Sequence, residues 1–119
     1  MNILITGCAG FIGYHLCKKI IDNKNKYKLF GIDNINNYYD IKLKTNRISN
    51  LKKNLSFNFT KLDITDVSKL NKYIKKNKIE IIIHLAAQAG VRHSLKKPKE
   101  YFNSNLVGFY NILEVSKIN

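Results

Sequence analysis

Little in this chain could anchor it in a bilayer, staple it or ligate a metal. No apolar run in its 119 residues approaches the roughly 20 needed to cross a membrane. The opening Met1-Asn2-Ile3-Leu4-Ile5 carries no basic flank, and glycine soon interrupts it, so no secretory leader is expected. The two cysteines, Cys8 and Cys17, lack the spacing of a metal or redox site. They read as free thiols in a reducing, cytoplasmic setting, and no metal site is expected. Internal repeats, linkers and low-complexity tails are also missing. The length allows one domain at most.

Acidic residues are scarce: 8 stand against 21 lysines and arginines, a formal net charge of +13. Among the bases only Arg47 and Arg92 are arginines. The lysines are spread over segments that read as solvated faces, without the aromatic interleaving or arginine clustering of a nucleic-acid reader. Neither nucleic acid nor membrane is therefore an expected partner. The positive field favours a small anionic ligand, such as a dinucleotide or a nucleotide sugar.

What the chain has is a legible alternation. Asn2–Thr6 is a short apolar run bounded by glycine, which predicts a buried strand. Phe11–Asp22 carries Phe11, Ile12, Leu16 and Ile20 at helical spacing, and Asn23–Lys26 is a polar break. Tyr27–Asp33 predicts a second strand, Asn34–Asp40 a turn, and Ile41–Lys53 a helix with Ile41, Ile48 and Leu51 on its apolar face and Leu43 beside it. Leu55–Leu62 alternates as a half-buried strand should. Asp66–Lys76 predicts a helix capped by Asp66 with Val67, Leu70, Tyr73 and Ile74 inward. Glu80–Ala87 reads as a strand buried on both faces. Pro98 opens a last long helix whose inner candidates are Tyr101, Leu106, Phe109, Ile112, Leu113 and Val115. Strands alternating with helices imply a parallel sheet joined by right-handed crossovers, an α/β fold.

The stretch TGCAGFIG joins the first strand to the first helix and sets Gly7, Gly10 and Gly13 at intervals of three. In such a turn the first glycine permits a tight reversal, the second lets a pyrophosphate approach bare backbone, and the third lets helix and sheet pack closely. The helix N-terminus adds unpaired N–H groups for the phosphates. The spacing is G-x-x-G-x-x-G rather than the commoner G-x-G-x-x-G, and a glycine turn of purely structural origin explains the triplet as well. Asp33 adds a second sign. It ends the second strand about 20 residues beyond the loop, where an acid accepts from an adenosine ribose. A carboxylate there repels a 2′-phosphate, so NAD is expected over NADP. Asp63 ends the third strand, followed by Ile64. The pair suits an adenine edge, although a capping aspartate is nearly as good a reading.

The run HLAAQAGVRHSLKKPKEYFNSNLVGFYNILE, His84 to Glu114, resembles the extended short-chain dehydrogenase/reductase family of nucleotide-sugar epimerases and dehydratases. Within it, LAAQAGVR and GIDNINNYYD look most like the UDP-glucuronate 4-epimerase subgroup; the alternatives are a UDP-glucose 4-epimerase or nucleotide-sugar dehydratase, or a non-catalytic NAD- or nucleic-acid-binding module. His93 departs from the tyrosine that many members carry after the arginine. The resemblance spans essentially the whole chain and implies a Rossmann-type, doubly wound sheet. It would be incomplete, with four strands in the order 3-2-1-4. It implies NAD as cofactor, with Gly7, Gly10, Phe11, Ile12 and Gly13 at the pyrophosphate. Asp33 and Asn34, with the following turn, would hold the ribose, and Asp63 and Ile64 would flank adenine. Leu85, Ala86, Ala87 and Gln88 would line the far side, and Ser104 or Asn105 would order the site. Arg92 would face the anionic part of a nucleotide-sugar substrate.

The same resemblance implies an enzyme that oxidises the sugar at C4, rotates the keto form and reduces it again, with a tyrosine base activated by lysine in Y-x-x-x-K. Two such matches occur here, Tyr14 with Lys18 and Tyr38 with Lys42. Neither lies where it could reach a nicotinamide, so no catalytic residue is assigned. Residues 1–119 are thus expected to be the N-terminal part of an NAD-binding domain, inactive alone, without the catalytic and sugar-binding segments. The whole enzyme is expected to be a homodimer. The fourth strand is expected at a bare sheet edge. Of the histidines, His84 reads as a satisfied strand residue, His15 and His93 as surface.

Overall fold

The structure, a computed structural model, describes residues 1–23 and 27–118. Four strands form one parallel sheet in the order β3-β2-β1-β4. They are β1 (Asn2–Thr6), β2 (Lys28–Asp33), β3 (Phe57–Lys61) and β4 (Ile81–His84). The register sets Ile5 of β1 between Gly31 of β2 and Ile83 of β4. The expected α/β Rossmann-type sheet, four strands in the order 3-2-1-4, is therefore the fold.

The period of two along a strand divides the core. Ile3, Ile5 and Leu29 point to one face, where Cys8, Cys17, Ile48, Leu51 and Phe57 close a cluster with helices α1 (Phe11–Asp22) and α2 (Ile41–Leu51). Leu4, Phe30 and Ile32 point to the other, against Leu70 and Ile74 of α3 (Val67–Asn77) and Ile112 and Val115 of α6 (Gly108–Ile118). Helices on both faces bury a parallel sheet at its centre, and Leu4, Ile5 and Ile32 are wholly enclosed.

Several boundaries differ from expectation, each for a local reason. The polar break at 23–26 is described only at Asn23. β2 begins one residue later than expected, at Lys28, and α2 ends at Leu51 rather than Lys53. β3 is shorter: Leu55 lies outside it, fully exposed. β4 stops at His84, because the next N–H groups, of Leu85 and Ala86, donate to the Thr6 hydroxyl instead of a strand. It is also not buried on both faces. It stands at the edge of the described sheet, with Ile81 exposed and Ile82 to His84 half-buried.

The apolar faces shift as well. Phe11, Ile12, Ile41, Leu43 and Val67 are exposed, while Lys44 is buried. Asp66 caps α3 as expected, accepting from Lys69 N at 3.0 Å. A short helix that the sequence reading missed, α4 (Val91–Lys96), follows β4.

From Pro98 the backbone stays helical through α5 (Pro98–Tyr101), a π-helical turn (Phe102–Val107) and α6. The wider turn changes the phase of the helix. Leu106, Phe109 and Leu113 therefore face outward, and Gly108 and Asn111 face in beside Ile112 and Val115. Asn111 Nδ2 donates to the carbonyls of Ile64 and Thr65 at 2.9 and 3.2 Å, tying α6 to the turn after β3. Among the described residues no helix is long and apolar enough to cross a membrane.

Candidate functional site

The order 3-2-1-4 reverses direction at β1, and a cavity of about 500 Å³ opens there, at the C-terminal ends of the strands. Its floor is the glycine loop. Gly7 has φ 71°, a left-handed conformation, and a Cβ there would come within 2.8 Å of Ala86 N. A Cβ on Gly13 would overlap the Gly7 carbonyl, so the first and third glycines answer to packing. Gly10 is different. Its φ of −70° suits any residue, and a Cβ would meet only Gly7 O, at 3.2 Å, with open space otherwise. No side chain caps α1, whose first N–H groups begin at this wall of the cavity.

The second wall descends from β2. Asp33 is 8% exposed, and its carboxylate accepts from Ala9 N at 3.1 Å and from Ile35 N at 2.8 Å. It thereby fastens the glycine loop to the end of β2. The same bond holds Ile35 at φ 53°, a costly conformation for a β-branched residue. Asn34 Nδ2 donates to Asp63 Oδ2 at 3.1 Å, joining the ends of β2 and β3. Burial raises the Asp63 pKa, but bonds from the Thr65 N–H, the Thr65 hydroxyl and Asn34 outweigh it, and the carboxyl lies below its usual range. Asp63 is therefore both a turn residue and a lining residue.

The far wall is the chain after β4. Leu85, Ala86, Ala87 and Gln88 line the cavity with Ile64 and Ser104. Asn105 does not reach the cavity. Its side chain instead holds Gln88 at both ends, accepting from Gln88 N at 2.8 Å and donating to Gln88 O at 3.0 Å. Thr6 does the same for the residues before it. The hydroxyl accepts from Leu85 N and Ala86 N, so its own proton goes to His84 Nδ1, 2.7 Å away. His84 is thus satisfied in its strand, as expected, and stacks on Phe109.

The structure brings together on one cavity Gly7, Gly10, Phe11, Ile12, Gly13, Asp33, Asn34, Asp63, Ile64, Leu85, Ala86, Ala87, Gln88 and Ser104. The exposure of Phe11 and Ile12 follows from their place on its rim. Arg92 lies outside it, exposed on α4. His93 is half-buried rather than at the surface: its ring packs 4.8 Å from that of Tyr38, and Nε2 stands 3.1 Å from Glu100 Oε2. His15 is exposed. Tyr14 stays on α1 outside the cavity, whereas Tyr38, on the loop after β2, lines it; each is in a ring contact with a histidine.

Asn36 and Tyr39, in the turn expected beside the ribose but not singled out, also line the cavity, as do Lys44 and Arg47, which sequence reasoning passed over. Arg47 Nη1 donates to Ala9 O at 3.0 Å and to the Tyr39 hydroxyl at 3.1 Å. For Lys44 and Arg47 the signal was a polar residue recurring on the buried side of α2; Asn36 and Tyr39 lie in the turn after Asp33. Among the described residues no group of three metal-ligating side chains converges.

A glycine loop beneath a cavity at the reversal of a parallel sheet defines a Rossmann-type α/β protein. The chain belongs to the extended short-chain dehydrogenase/reductase family of NAD-dependent epimerases and dehydratases: the family model described as GDP-mannose 4,6 dehydratase matches residues 4–119. Among its relatives, the UDP-glucuronate 4-epimerase of Thermodesulfobacterium geofontis is 42% identical over 114 residues, 96% of this chain and 35% of that protein. A probable UDP-glucuronate 4-epimerase of Rhizobium meliloti is 44% identical over 117 residues, 98% of this chain and 34% of that protein. The UDP-glucuronic acid 4-epimerase of Bacillus cereus, solved with UDP-glucuronic acid and NAD, superposes with a TM-score of 0.89 at 38% identity, over 98% of this chain and 36% of that one. The chain spans about a third of the length of the curated relatives it matches.

Proposed function

We propose that this chain is the cofactor-binding part of a nucleotide-sugar epimerase that inverts UDP-glucuronate at C4, with NAD as its cofactor. The observation that carries the reading is Gly10. Packing presses on a Cβ there at one point only, the Gly7 carbonyl at 3.2 Å, and the position faces the cavity at the start of α1. A diphosphate resting against bare backbone and helix N–H groups adds a second reason for glycine. Gly7, Gly10, Phe11, Ile12 and Gly13 hold the pyrophosphate in this reading. Asp33 and Asn34 take the ribose, Asp63 and Ile64 the adenine, and Leu85 to Gln88 with Ser104 close the far side. Asn105 is reassigned from contact to support, because it grips Gln88 rather than the cavity.

NAD, when bound, supplies reversible oxidation at the sugar carbon. The residues here orient it, keep water from its adenosine half and fix its diphosphate. Turnover is assigned to the intact enzyme rather than to residues 1–119, which form the N-terminal part of its NAD-binding domain. The choice of UDP-glucuronate leans on the Bacillus cereus structure and the two curated relatives. Arg92, exposed beyond the cavity, is left free for the anionic part of the sugar nucleotide.

Isothermal titration with NAD tests the cofactor reading. Wild-type protein is expected to bind, and Gly10→Val to bind at least about tenfold more weakly while keeping its far-ultraviolet circular dichroism. Equal affinities, or a folded wild type that binds no NAD at millimolar concentration, would overturn it.

A further inference from the structure

Lys44 is the most deeply buried cation on the cavity wall, its side chain 7% exposed. Its ammonium has three N–H donors. One is used by Asn36 Oδ1, at 2.9 Å. Asp33 Oδ1 lies 3.8 Å away, close enough for ion pairing and too far for a hydrogen bond. The Tyr39 ring lies beneath, 4.9 Å from the nitrogen. Two donors on a side chain more than nine-tenths buried thus find no hydrogen-bond acceptor among the described residues. On the wall of a cavity, those donors are completed by water or by a ligand that displaces it. Burial lowers the pKa of the ammonium, with Asp33 opposing and Arg47 adding to the effect.

We propose that Lys44 is a further residue of the ribose subsite, donating to the oxygen at the 2′ position and setting how strongly the site discriminates against a 2′-phosphate. The proposal rests on the cofactor reading above. Asp33 accepts from a ribose hydroxyl and Lys44 donates to one, so the pair grips a diol from both sides. The electrostatics change with it. Asp33 alone repels a 2′-phosphate, but a cation within 4 Å of it cancels much of that repulsion. Arg47 extends the positive field, although its own Nη1 is held by Ala9 O and the Tyr39 hydroxyl. Selection of NAD by the acid alone is therefore an incomplete account of this site.

The test is a pair of dissociation constants, for NAD and for NADP, measured by calorimetry on the purified protein at one pH and salt concentration. Lys44→Met is expected to weaken NADP at least about tenfold more than NAD, and Lys44→Arg to keep the ratio within about threefold of wild type. Lys44→Gln carries the same expectation if the methionine variant does not fold, judged by circular dichroism. An unchanged ratio in folded variants, whether both constants rise together or neither moves, overturns the proposal and leaves the cofactor reading standing. A folded wild type that binds neither dinucleotide overturns both.

Discussion

At Thr6 one hydroxyl, wholly buried, accepts two backbone N–H groups and gives its proton to His84 Nδ1. That ring nitrogen must stay unprotonated for the bond to hold, and burial correspondingly lowers the His84 pKa from its usual 6.5. The folded protein then binds fewer protons at this site than the unfolded chain. Its stability contribution is complete above pH 6.5 and is lost as the pH falls from there through the lowered folded value. Urea midpoints taken on either side of this window are expected to be lower on the acid side. In His84→Gln that part of the pH dependence should flatten. An identical slope in the variant would assign the loss to other groups. The consequence reaches the site, because the same hydroxyl fixes Leu85 and Ala86 on the cavity's far wall.

At the scale of the element, α1 was readable to the residue, since Gly10 and Asp22 bound an apolar period unbroken by turn residues. The last helix was not. Pro98 marked its start correctly, but a π-helical turn leaves no mark in a 3.6-residue period, and it rotated Leu106 and Phe109 out and Asn111 in. Lys44 was passed over for a related reason. An alkyl stem with a charged tip reads as a solvated residue, and only the contact with Asp33 and Asn36 shows it folded inward. The end of α3 offers a clean test of local backbone cost. Lys78 closes it in the left-handed region, φ 48° and ψ 52°, where glycine is the usual choice. Lys78→Gly is expected to stabilise the protein by about 0.5–1 kcal/mol, read from denaturant unfolding. A destabilised variant would show that the lysine side chain contributes more than the strain removes.

Across the whole molecule the excess of 13 positive charges surrounds a cavity whose own lining is balanced, two acids against Lys44 and Arg47. The long-range field is therefore the part that salt can screen. Stopped-flow association of NAD is expected to slow several-fold between about 10 mM and about 150 mM salt, as the Debye length shrinks, with a smaller change in dissociation. A salt-independent association rate would remove any steering role from the lysines. The sequence by itself determined the alternation of strand and helix, the glycine loop, and the acids at the ends of β2 and β3. These are local patterns: each is written in neighbouring residues with a fixed period or spacing. Only the tertiary structure decided that Asn105 grips Gln88, that Thr6 reaches across to His84 and Ala86, and that Lys44 turns inward beside Asp33. Those contacts join segments far apart in the chain or depend on the direction of a flexible side chain. No local period encodes them, and the packing of the sheet and its helices fixes where they fall.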